Sequence, residues 1–83
     1  MYIIENFIAR QPMRADGQTA LFVSKTNAFE FFESNLHSRF HDERKKVVKF
    51  SREDSNDRKS AYFTYDNGEN EIICVSKIKF FDE

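Results

Sequence analysis

Tryptophan is absent from this 83-residue chain, and cysteine, proline and glycine are scarce, with one Cys, one Pro and two Gly. Each shortage excludes something. The lone Cys74 closes no internal disulfide, so the chain does without the staples of small secreted domains and suits a reducing interior. Gly17 and Gly68 are too few for a phosphate-cradling loop, and the pairs Asp16-Gly17 and Asn67-Gly68 read as turns. No apolar run approaches the roughly 20 residues needed to cross a bilayer. The start, MYIIENFIARQ, lacks both a basic leader and a small-residue cleavage site. A soluble, cytoplasmic protein with no membrane partner is the expectation. Charge of one sign is lacking too: 13 Lys and Arg stand against 14 Asp and Glu, so any basic site must be local.

What is present is aromatic. Ten Phe and three Tyr lift the chain clear of the composition of disordered segments. A chain this short buries only about 60 to 65 per cent of its unfolded surface, which expects one domain over residues 1–83. Tyr2 to Ala9 carries apolar residues on both faces and reads as a well-covered strand. Arg10 to Gln18, with Pro12 and Asp16-Gly17, reads as a connection, and Thr19 to Ser24 as a second strand returning along the first. The period then changes. Asn27, three residues before Glu30, resembles an N-cap, and Ala28, Phe29, Phe32, Leu36 and Phe40 form one stripe of a helix over residues 27–41. Phe31 falls off that stripe.

Three strands are predicted after the helix: Arg44 to Arg52, Ser60 to Asp66, and Glu71 to Phe81. Asn-Gly between alternating apolar runs is a strong hairpin signal. A two-residue Asn67-Gly68 loop sets Phe63 opposite Ile72 and Ala61 opposite Cys74, with Cys74 on the core side. Tyr62 then faces Ile73 on the other side. The expected fold is α+β: a five-stranded, mostly antiparallel sheet in the order ββαβββ, with one amphipathic helix on one face. Apolar groups on both faces of the hairpin exceed what one helix can cover, which expects the Arg10 to Gln18 arm, a partner or a second copy of the chain, as a homodimer, at the second face.

Residues 37–59 hold eight Lys and Arg against five Asp and Glu, a local excess of +3. Arg44, Lys45, Lys46, Lys49, Arg52, Arg58 and Lys59 are therefore candidate contacts to phosphates, with Tyr62 as a stacking platform for RNA. A lysine-bearing strand also blunts a sheet edge, as Lys45 and Lys49 around Val47 would. Arg58 to Tyr65, RKSAYFTY, resembles the RNP1 octamer of RNA-recognition motifs at its basic first residue, Ala61, Tyr62 and Tyr65. It departs from that pattern at Lys59, where glycine is required, and at Ser60, where an aromatic is. The motif's fold also needs two helices, so the family is not assigned.

Glu33, His37 and His41 share helical spacing suited to a metal, yet exposed polar residues account for that spacing equally well. Cys74 reads as a small core hydrophobe, and the carboxylate pairs lie in exposed contexts without a pocket to separate their acidities. No catalytic residue, cofactor or metal is expected. The functional expectation is a small non-enzymatic binding protein that regulates or inhibits a partner macromolecule, with a partner protein foremost, the class of phage-type inhibitors, antitoxins and immunity-like proteins. The other expectation is a module that binds RNA or another nucleic acid through the basic residues above, alone or as part of binding a protein–RNA complex. Phe31 joins the partner-facing candidates.

Overall fold

The computed structural model describes residues 1–9 and 14–78, with side chains for 1–6 and 20–78. The elements run β1 (Tyr2–Ala9), β2 (Arg14–Phe22), α1 (Lys25–Phe40), β3 (Val47–Asp54), β4 (Arg58–Tyr65) and β5 (Asn70–Lys77). They build one five-stranded sheet in the spatial order β2-β1-β5-β4-β3, with all neighbours antiparallel. The expected α+β order ββαβββ is therefore the observed one. β5 lies at the centre because it accepts β4 by a hairpin on one side and the first strand on the other. α1 joins the two edge strands, β2 and β3, and so must cross a face of the sheet.

Local capping sets the helix start two residues before the expected one. The Ser24 hydroxyl accepts the Asn27 amide at 3.2 Å, and the Ser24 carbonyl accepts Ala28 at 3.0 Å. Ser24 is thus the N-cap and Asn27 is helical, since one satisfied orphan amide suffices to fix the boundary. β2 departs further. It begins at Arg14, so Asp16-Gly17 is strand and not turn, with Gly17 opposite Phe7. The eight-residue β1 offers a full ladder, and pairing along it outweighs the local turn preference of two residues. Pro12, in the expected connection, and Phe80 and Phe81, in the expected last strand, lie outside the described residues.

The hairpin between β4 and β5 decides which side chains are inside. Gly68 donates to the Tyr65 carbonyl at 3.0 Å, and Tyr65 donates to that of Glu69 at 2.9 Å. The loop is therefore three residues, Asp66-Asn67-Gly68, with Gly68 at φ +91° as the left-handed residue that this loop length requires. One extra loop residue slips the register by one, and a slip of one exchanges the faces. Tyr62 faces Ile72, Ser60 faces Cys74 and Ala61 faces Ile73. Cys74 and Ile72 accordingly leave the core side expected for them, and Ile73 and Val75 enter it.

The covered face is built from both layers. Tyr2, Ile4, Ala61, Phe63, Tyr65, Ile73 and Val75 of the sheet are buried with Ala28, Phe32 and Leu36 of α1, and Phe22, Phe29, Val47 and Phe50 pack at the margin. Phe40, expected in the stripe, is 49% exposed, but its ring meets Phe50 at 4.9 Å and Phe63 at 5.5 Å. Among the described residues no helix is long and apolar enough to cross a membrane.

Candidate functional site

The sheet face turned away from α1 carries four rungs of side chains. Lys49, Thr64 and Asn70 form the first; Ser51, Tyr62 and Ile72 the second. Glu53, Ser60, Cys74 and Glu5 form the third; Arg58, Ser76, Ile3 and Leu21 the fourth. Leu21 and Ile72 are 58% and 38% exposed. Ile3, Tyr62 and Cys74 are half-buried, and the Ser60 hydroxyl lies 3.4 Å from the Cys74 sulfur. This face is mixed where the expected register made it apolar. Serine, threonine and charged residues make up most of its described side chains, so among the described residues one helix does cover the greater part of the sheet's hydrophobic surface.

The nine residues singled out from the sequence do not gather in one place. Lys49, Arg58 and Tyr62 share the open face, but Lys49 and Arg58 stand at its two ends, about 20 Å apart by strand rise. Arg52 and Lys59 lie on the helix side. Arg52 grips Glu33 through two nitrogens, at 2.7 and 3.2 Å, and also meets Asp54 at 3.0 Å. Lys59 joins Glu33 at 3.3 Å and stands over the Phe29 ring, 5.2 Å from its centre. The Arg52 hydrogen bonds, opposed by partial desolvation and aided by Lys59, hold the Glu33 carboxyl below its ordinary range. Arg44 closes on Asp42 at 3.2 Å, and Lys45 bonds Glu69 at 2.7 Å while its ammonium sits 4.4 Å from the centre of the Tyr65 ring. Lys46 is exposed in the segment before β3. Phe31 is on the flank of α1 beside β2, 44% exposed and tilted against Phe22 at 5.2 Å.

The most built polar constellation was not expected from the sequence. Glu71, 2% exposed, points from central β5 toward the helix. Arg39 reaches it from α1 with Nη2 at 2.8 Å and Nε at 3.1 and 3.2 Å from its two oxygens. The Tyr65 hydroxyl and the Asn6 amide donate to the same carboxylate, and Asn35 receives Arg39 Nη1 at 3.2 Å. Burial alone would raise the Glu71 carboxyl; the bonds from Arg39, Tyr65 and Asn6 outweigh it and hold it below its ordinary value. The Tyr65 phenol is pushed up by burial and then by donating to Glu71. No local pattern marks this set, because Arg39 and Asn6 lie 32 and 65 residues from Glu71 along the chain. The network is fully occupied by its own members. A cavity of about 120 Å³ beside it is lined by Ile4, Asn6, Ala20, Phe31, Asn35, Arg39 and Ile73.

The helical Glu33, His37 and His41 do not converge. Glu33 is held by Arg52 and Lys59, while the two imidazoles stack with centroids 4.2 Å apart. Among the described residues no group of three His, Cys, Asp or Glu side chains is placed to hold a metal ion. No protein-family model matches this chain, and no curated protein or solved structure is significantly similar to it.

Proposed function

We propose that this is a small non-enzymatic binding protein that regulates or inhibits a partner protein through the helix-free face of its sheet. The observation that carries the reading is the neutralisation of the basic region. Arg39, Arg44, Lys45, Arg52 and Lys59 each hold a carboxylate within 3.3 Å, leaving among the described residues no continuous row of cations for a phosphate backbone. The open face instead offers Tyr62, Ile72, Ile3 and Leu21 within a frame of hydroxyls and scattered charges of both signs. Aromatic and aliphatic anchors within a polar rim suit recognition of protein.

The test is capture from native lysate by tagged protein, with and without nuclease, beside an Ile72→Asp, Leu21→Asp double variant. A protein retained after nuclease by the wild type and lost by the folded variant supports the proposal. RNA or DNA recovered alone and released as salt rises would overturn it, and would make the strip Lys49, Tyr62 and Arg58 the nucleic-acid contact.

A further inference from the structure

Among the described residues the outermost position of β3 leaves one side of that strand without a neighbour, and pairing there would be separate from capture of a partner on the open face. The phase of its ladder is fixed, because Ser55 donates to the Arg58 carbonyl at 2.7 Å. Ser51, Glu53 and Ser55 therefore turn their backbone groups toward β4, and Phe50, Arg52 and Asp54 turn theirs outward. An incoming antiparallel strand must bond to that second set.

We propose that the occupant of this edge is the β3 edge of a second copy of the chain, paired antiparallel about a two-fold axis at Ser51. With Ser51 on the axis, Phe50 and Arg52 of one copy exchange both backbone hydrogen bonds with Arg52 and Phe50 of the other. That is the pairing the outward groups allow. Lys49 then stands opposite Glu53 of its mate, twice by symmetry, at the closer non-hydrogen-bonded positions of the open face. Lys49 and Glu53 are both exposed, and among the described residues neither forms an ion pair. They are thus available to each other.

Neighbouring symmetric registers lack this match. An axis at Phe50 sets Lys49 against Ser51, and an axis at Arg52 brings two guanidinium groups together. Charges that deter indiscriminate edge pairing here select one register. Phe40, half exposed and packed on Phe50, adds apolar surface beside the seam on the helix side. The product is a continuous ten-stranded sheet whose two open faces join into one.

Sedimentation equilibrium of the full chain over a concentration series tests this with charge reversals. Lys49→Glu and Glu53→Lys should each weaken self-association on the order of ten-fold, since each turns two attractive cross-strand pairs repulsive. The combined swap should restore it. In a Cys74→Ser background, Ser51→Cys should give a disulfide-linked dimer under mild oxidation, because residues on the axis lie within bridging distance, and Glu53→Cys should not. A monomer at every concentration, a dimer indifferent to both single reversals, or a combined swap as weak as either single one overturns the proposal. Circular dichroism confirms that each variant compared is folded.

Discussion

At the residue scale the decisive group is Glu71, a carboxylate in the core that stays ionised. Its attraction to Arg39 matters less than the penalty of removing Arg39, because a buried charge left without its cation cannot rehydrate. Arg39→Leu should lower stability by about 3 kcal/mol near neutral pH, the lower part of the range for a broken buried pair because Arg39 keeps some contact with water. The sign with pH comes from the depressed acidity of Glu71. In the wild type its contribution is complete above the unfolded carboxylate pKa, about 4.3, and is lost as pH falls through the lower folded value. In the variant, protonation relieves the unpaired charge, so the stability gap should narrow on acidification. Urea unfolding at pH 7 and pH 4.5 measures this; a gap that widens toward pH 4.5 would contradict the assignment. The Glu33 cluster, half exposed, has no comparable leverage.

At the element scale the hairpin loop controls the sheet. Gly68 has open space around it, with nothing within 4 Å of a Cβ built there, so the cost of a side chain is that of its φ of +91° alone. Gly68→Ala should destabilise by about 1–2 kcal/mol and Gly68→Asn by less, as asparagine tolerates the left-handed region. Thermal unfolding of the two variants gives the order, and equal losses would refute a purely backbone origin. The same loop explains what was and was not legible. Asn67-Gly68 marked the hairpin correctly, because Gly68 takes the left-handed φ that the reversal needs, whereas Asp16-Gly17, an equally good turn pair, was drawn into β2. Whether two or three residues form the loop depends on where Tyr65 and Glu69 close the ladder, and that choice exchanged the places of Cys74 and Ile73. Helix α1 was legible because Ala28, Phe32 and Leu36 repeat with its period. Its cap was not, since Ser24, Thr26 and Asn27 all have side chains able to cap.

At the scale of the whole molecule, one helix covers one face of the sheet, and among the described residues no element covers the other. Phe32, completely buried, joins α1 to the core of the sheet, and Phe32→Ala should cost about 3–5 kcal/mol. Phe31→Ala, at a half-exposed ring, should cost about 1 kcal/mol or less. Urea midpoints at constant slope measure both, and similar losses would mean that the helix is rotated from the packing described. The basic region shows why a site is harder to read than a fold. Its cations are plain in the sequence, as are the near partners Asp42 and Asp54, but the partners Glu33, Glu69 and Glu71 are remote in it, and only folding brings them in. Charge excess along the chain therefore did not become a continuous basic surface: Lys46, Lys49 and Arg58 stay exposed but apart.

The sequence by itself determined the α+β class, the strand and helix order and the helix stripe, because each rests on periodicity and turn chemistry within a few residues. Only the tertiary structure decided the hairpin register, the face of Cys74, the buried Glu71 network and the fate of the lysines and arginines. Those depend on contacts between segments tens of residues apart, where a single residue of slip or one opposing carboxylate changes the result.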